Sequence, residues 1–349
     1  MTDHGKGRGG HRLGKVRLRA RSAQALFCLA LGMFALFGCQ NSPSIPAERA
    51  DGEILVPTEE APTYHLLEGY GQRWLEHVRK GVETARTYWG SYGPTHVWIV
   101  GREDGAVIAP ETRRAFLMEY CRCRTSTSER SLSECLPHAQ ARFFGVMDRG
   151  ESEAYLSYVN DTKPPMAELV FINVHKWFFE RDPVPDPVLR GIHEYTHVFQ
   201  KSFGATPTWM MEGGAVFAEA WLPFIHGWRG MERAMERCRE SAARVSDPDI
   251  TIADMEDIDA APAHVSKYYR ELAYDTGAWA IGFMIHESAT RRVSSLRDEF
   301  YPSVTDLGWE TALSKYVRMK DKAAFYAAFG AFMKRPLRQQ LDLLKRLKE

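Results

Sequence analysis

Gly191-Ile192-His193-Glu194-Tyr195-Thr196-His197-Val198-Phe199 is the stretch whose reading decides the fold. It sets His193-Glu194-x-x-His197 in a mostly apolar run. On a helix, residues four apart stand one above the other on the same face. Two imidazoles so placed can both reach one Zn²⁺, at about 2.0–2.1 Å. Glu194, beside the first histidine, can meet a water on that ion and act as general base. The competing reading is a buried helix whose histidines are satisfied by ordinary hydrogen bonds. The flanks favour a helix in either case. Asp186-Pro187 has the form of a cap followed by proline at the first helical position. Val188, Leu189, Ile192, Val198 and Phe199 supply apolar cover, and Gly204 suits a helix stop.

Outward from this stretch, the 349 residues are 44% hydrophobic, enough for a sizeable core, and the formal net charge is zero. That balance is uneven along the chain. The first 38 residues carry seven Lys/Arg against one Asp, which leaves 38 basic and 44 acidic residues in the remainder, a net of −6. Such a chain lacks the basic surface of a nucleic-acid binder. Residues 1–21 are basic and residues 23–37 apolar, followed by Gly38-Cys39. An apolar run of about 15 is short for a membrane span, which needs about 20. It suits a signal-peptide core. Gly38-Cys39 resembles a bacterial lipobox, although Phe37 is bulkier than that pattern usually has. The resemblance implies a lipidated Cys39 that anchors the protein to the cell envelope, and Gln40 after it implies outer-membrane sorting. A plain signal peptide or an uncleaved anchor is the alternative. Residues 39–62, with Pro43, Pro46, Pro57 and Pro62, have the composition of a flexible tether.

Cys28 falls in the signal segment, leaving Cys121, Cys123, Cys135 and Cys238 beyond Cys39. In an oxidising compartment these four allow two disulfides in three connectivities. A bridge from Cys121 or Cys123 to Cys135 would clip the polar stretch Thr125 to Glu134, leaving Cys238 to reach the other cysteine. The spacings lack the paired C-x-x-C knuckles of a four-cysteine zinc site.

The remaining pattern places a helix from His65 to about Trp89, with Leu66, Tyr70, Trp74, His77, Val78 and Val82 near one stripe. His96–Val100 has the pattern of a short strand, and Glu111–Cys121 that of a helix burying Phe116 and Leu117. Glu153–Val159 fits helix or strand equally, and Glu168–Val174 is the clearest strand. Beyond residue 204 the pattern is helical, around 207–222, 228–244, 265–289, 309–318 and 321–347. The expected fold is therefore α+β, in one domain over residues 63–349. A mixed sheet and helix half at 63–203 ends in the His-Glu helix, and a helical half follows at 204–349. The basic, amphipathic end from Lys334 to Glu349 suits a solvated outer face or a membrane- or partner-binding helix.

A catalytic zinc takes three protein ligands and keeps a fourth position open. Fourteen residues separate His197 from Glu212, in Trp209-Met210-Met211-Glu212-Gly213-Gly214-Ala215. That is room for a turn and the start of a second helix. Gly213 and Gly214 would let the backbone come close to the metal helix. The plain alternative for Glu212 is a carboxylate favoured by the helix dipole.

His193-Glu194-Tyr195-Thr196-His197 with Trp209-Met210-Met211-Glu212-Gly213-Gly214-Ala215 resembles the gluzincin superfamily of metallopeptidases, and especially the catalytic core of bacterial collagenases. The resemblance is specific over about residues 188–222. It implies a zincin-like fold, one zinc ion held by His193, His197 and Glu212, and peptide-bond hydrolysis with Glu194 as base. The segment Leu272-Ala273-Tyr274-Asp275-Thr276-Gly277 is similar to that family's Tyr-x-x-Gly segment. Tyr274 would then donate to the oxyanion, with Tyr268, Tyr269 and His286 as rivals, and a core tyrosine as the plain reading. Gln200 and Phe203 exclude a metzincin, whose motif needs glycine and histidine there. The aminopeptidase branch carries a Gly-x-Met-Glu-Asn segment on the strand before the metal helix. Here that strand lacks the acidic anchor for a free α-amine, which favours endopeptidase action on peptides or proteins. Glu219 suits a surface salt bridge or the support of a ligating histidine, and residues 168–174 could pair with an extended substrate. Two other classes stay open: a zinc-holding scaffold or binding lipoprotein without activity, and a metal-free structural one.

Overall fold

The computed structural model describes residues 55–124, 129–159, 162, 164–174 and 183–349. The expected signal segment and Cys39 lie outside the described residues. The architecture is mixed α+β, with a small sheet in the first half and helices throughout the second.

The central element is α4 (Asp186–Gln200); α1 is Gln72–Trp89, α2 Pro110–Arg124 and α3 Glu129–Ala139. Every residue of α4 except Arg190 is buried. A helix enclosed on all sides must let its neighbours approach by close backbone contact, and glycines make that approach. At Gly81 of α1 a Cβ would fall on the Val188 carbonyl oxygen, and at Gly191 it would lie 2.6 Å from the Val78 carbonyl oxygen. The α1 stripe Leu75, Val78, Val82, Ala85 and Trp89 recurs every three or four residues and is buried. Gly90, at φ +105°, ends it. The two residues inside the histidine motif serve this packing. Thr196 accepts a hydrogen bond from the Trp89 indole N–H at 3.1 Å, and Tyr195 donates to the Gly90 carbonyl at 3.2 Å.

Among the described residues the sheet has four strands in the order β2 (Thr63–Leu66), β4 (Thr95–Val100), β6 (Met166–Ile172), β5 (Glu153–Val159). The first three run parallel, and β5 is antiparallel at the edge. A two-stranded piece pairs β1 (Val56–Pro57) with β3 (Tyr92–Gly93). β6 is buried along its whole length, as a strand flanked on both sides requires.

The C-terminal half contains α5 (Thr208–Ile225), α6 (Met231–Ala242), α7 (Gly277–Glu287), α8 (Tyr301–Leu307), α9 (Trp309–Val317), α10 (Lys322–Met333) and α11 (Leu337–Leu344). Gly213 of α5 and Gly277 of α7 face each other, so that a Cβ on Gly213 would lie 2.5 Å from the Gly277 Cα.

Several local expectations are corrected. His65 and Leu66 belong to β2, not to a helix, because Gly69, at φ +83°, turns the chain before α1 begins. The folded body starts ahead of residue 63: Leu55 is 2% exposed and Val56–Pro57 pairs with β3. Asp186 is the first helical residue rather than a cap, and its buried carboxylate accepts from Arg190 at 2.7 Å. Glu153–Val159 resolves as strand. β6 ends at Ile172, since Asn173 takes φ +46° and its amide donates to the Met147 and Glu151 carbonyls. Because β6 is flanked by β4 and β5, residues 168–174 cannot receive an added strand. The long terminal helix is two, broken by Pro336, and Gln340, Leu343 and Leu344 are buried.

Cys121 and Cys135 form a disulfide, with their Cα atoms 5.8 Å apart. The second disulfide expected from sequence does not form. Cys123 and Cys238 are free thiols, and Cys238 is buried beside Asp275, which accepts from Ser241 at 2.6 Å.

Gly191→Ala should cost about 3 kcal/mol of stability, because the new methyl meets backbone rather than a side chain that could swing away. Urea unfolding of the two proteins measures the difference, and an unchanged midpoint would contradict the packing described.

Candidate metal centre

His193 and His197 leave α4 on one face, with ring centroids 4.7 Å apart and planes at 88°. Glu212, in the second turn of α5, comes to meet them. Its Oε2 lies 3.3 Å from His193 Nε2 and 3.4 Å from His197 Nε2. One ligand atom from each of the three residues fits within a 4.8 Å cluster. The three residues singled out from sequence as ligands are thus brought together.

Both Nδ1 atoms are engaged behind this cluster. His193 Nδ1 pairs with Glu219 Oε1 at 2.7 Å, and His197 Nδ1 with Gln200 Oε1 at 2.8 Å. Each pairing fixes a ring orientation and turns Nε2 toward the shared point. The Gln200 amide donates to the Met210 and Met211 carbonyls and to the Tyr301 hydroxyl at 3.0–3.2 Å. It therefore sets the distance between α4 and the helix that carries Glu212. Glu219 is held from behind by the Arg229 guanidinium, which donates to its main-chain carbonyl at 2.6 Å. Of the two readings of Glu219, the surface salt bridge is overturned: its side chain is 16% exposed and bonds a histidine of the cluster.

The two glycines after Glu212 have separate tasks. Gly213 admits Gly277, as above. Gly214 faces the Gln200 amide, which a Cβ would displace. Their expected approach to α4 is therefore correct only for Gly214, and there the contact is with a side chain.

Beyond α6 the chain widens into a π-helical turn, Arg270–Thr276, before α7. In an ordinary α-helix, residues five apart point about 140° away from each other. The wider turn brings Tyr269 and Tyr274 to one side, their rings 5.3 Å apart and edge to face. The Tyr269 hydroxyl donates to Glu212 Oε1 at 3.0 Å, while Tyr274 stacks on His193 at 5.7 Å between centroids. Two of the rival donors are elsewhere. Tyr268 bonds Ser246, and His286 sits among the charges of Arg291, Arg335 and Arg346.

The electrostatics favour a cation. Burial alone would depress His193, but hydrogen bonds to Glu212 and Glu219 outweigh it and push its pKa up to about 10. Burial likewise raises Glu212, and His197 and His193 overcome this to hold it well below the carboxylate range. Glu194 is 5% exposed, and burial raises its pKa against the pull of both histidines. Positive charge is thus demanded among three carboxylates, and two imidazole nitrogens with one carboxylate oxygen is the donor set of a catalytic zinc site. The residues present fit such an ion.

Sequence reasoning missed two neighbours. Gln200 follows His197 by three positions on the same helix face, a spacing that could have flagged it. Tyr158 carried no signal; it comes from β5, and its buried hydroxyl has no hydrogen-bond partner among the described residues and feels the Glu194 charge.

Comparison of the chain with protein-family models, with curated proteins and with solved structures returned no significant match.

Two outcomes are expected. Glu219→Gln should weaken zinc affinity about 10- to 100-fold, measured by competition with a chelator, because His193 loses its charged partner. Zinc uptake should also weaken as pH falls and release a proton at neutral pH, since a group with a raised pKa stays protonated below it and the metal must displace that proton. Titration in two buffers of different ionisation enthalpy reads the proton directly.

Proposed function

We propose that this chain is a zinc-dependent peptidase of gluzincin type, an endopeptidase that cleaves peptides or proteins at the bacterial cell envelope, tethered there through a lipidated Cys39. The observation that carries the reading is the convergence of His193 Nε2, His197 Nε2 and Glu212 Oε2, with both Nδ1 atoms anchored behind. A parallel sheet with an antiparallel edge strand beside the His-Glu helix supports a zincin-like fold.

His193, His197 and Glu212 would hold one zinc ion, which when bound supplies Lewis acidity to the scissile carbonyl and acidifies a water. Glu194 does the proton work. Burial and the neighbouring Glu212 raise its pKa, which suits a carboxylate that must take a proton from the attacking water and return it to the departing amine nitrogen. Tyr274, stacked on His193, is the hydroxyl suited to donate to the developing oxyanion. Tyr269 holds Glu212 in place instead. β5 takes over the substrate-pairing role first expected of β6. It is an edge strand, as β2 is on the opposite side of the sheet, and an extended peptide can add to it by main-chain hydrogen bonds. Tyr158, on β5 and next to the Glu194 charge, would line that path.

Glu194→Gln should keep stoichiometric zinc and lose at least about 100-fold in kcat/KM on an unbiased peptide library, read by mass spectrometry. Equal cleavage by both proteins would overturn the mechanism. Zinc binding without cleavage by either would place the chain among inactive binding lipoproteins.

A further inference from the structure

On the far side of the sheet's first two strands lies a second group of ligating side chains that the peptidase reading does not use. β2 and β4 run parallel in a register that sets Thr63 opposite His96 and His65 opposite Trp98. Side chains alternate faces along a strand, so His65, His96 and Trp98 share one face. The three rings form a stack, His65 lying 3.7 Å from Trp98 and 5.1 Å from His96. Helix α2 covers this face, with Phe116 and Tyr120 edge-on to Trp98. Glu119 and Cys123, four apart, leave α2 on one side.

The side chains there offer the donors of a metal site. His65 Nε2 and His96 Nδ1 are 2.9 Å apart, and nitrogen donors on a tetrahedral zinc stand about 3.3 Å apart. The Cys123 thiol completes a cluster in which one ligand atom from each residue lies within 4.8 Å of the others. Behind it, Glu119 Oε1 meets His65 Nδ1 at 2.6 Å, the carboxylate–histidine arrangement that leaves Nε2 as a lone pair directed at the cluster. The His65 side chain is 9% exposed, and Cys123 is half-buried. The disulfide matters as well. Cys135 is taken by Cys121, so Cys123 keeps a free thiol.

We propose that His65, His96 and Cys123 form a second metal site, distinct from the His193 centre, which binds a borderline divalent transition-metal ion, zinc in the first instance. Two imidazoles and a thiolate select zinc, cobalt or copper over calcium and magnesium. Binding would shift His96 to the tautomer that frees Nδ1 and release the thiol proton of Cys123. The three protein ligands would leave a fourth position to water, and the bound ion would tie β2 to β4 and to the last turn of α2.

The site does not depend on the peptidase reading, and cobalt separates the two, because the His193 centre has no sulfur ligand. Metal-free protein with its disulfide intact is titrated with Co²⁺. Wild type should take up two equivalents and show near-ultraviolet thiolate-to-cobalt absorption. Cys123→Ser should lose that absorption and one equivalent; His65→Ala should bind the second equivalent at least 100-fold more weakly. Cys238→Ser and His193→Ala should both keep the absorption. Retention of one equivalent by Cys123→Ser and by His65→Ala shows that each is folded. Absence of the thiolate band in wild type overturns the proposal, whether Cys123 reacts as a free thiol or mass spectrometry finds it in a disulfide. A band that survives Cys123→Ser overturns it equally.

Discussion

The structure depends on the hydrogen bonds made behind the two histidines. Burying a helix that carries His193, Glu194 and His197 is costly unless each polar atom has a partner. Glu219 and Gln200 take the Nδ1 atoms, which leaves the Nε2 atoms facing Glu212 with the buried Glu194 beside them, a cluster still short of compensation. The shortfall has a definite sign. Three carboxylates surround two imidazoles, and a cation at their centre would resolve the imbalance that the raised pKa of His193 reflects.

That arrangement requires four helices to stay close together. Glycine pairs supply the closeness: Gly81 with Gly191 where α1 crosses α4, and Gly213 with Gly277 where α5 meets the start of α7. The second crossing joins two parts of the site, because Glu212 precedes one glycine and Tyr274 lies three residues before the other. The wide turn ahead of Gly277 then places Tyr269 against the Glu212 carboxylate and Tyr274 against His193. A side chain at the second crossing would push the tyrosines away from Glu212 and His193.

The two histidine clusters show the same device on different scaffolds. In each, a carboxylate holds one ring nitrogen and turns the other toward a shared point, Glu219 for His193 and Glu119 for His65. In the first the donors come from two helices, in the second from two parallel strands and a helix. In the helical version the additional carboxylate, Glu194, directly follows the first histidine; in the strand version Glu168, opposite His96, is taken up by Arg124.

How much of this could be seen in advance follows from the range of the forces involved. The sequence by itself determined the α+β division, α4 with its pair of imidazoles, the strands read at His96–Val100 and Glu168–Val174 to within two residues of Thr95–Val100 and Met166–Ile172, and Glu212 as the acidic partner. Those features are periodic or local, and a helix fixes the geometry of residues four apart without help. The tertiary structure alone decided the rest. It set β5 rather than β6 at the edge, paired Cys121 with Cys135 and left Cys123 free, drew Glu219 inward, and brought His65 to His96 across 31 positions. Each of those outcomes rests on contacts between segments distant in sequence, where strand order and close packing choose among partners that composition makes equally available.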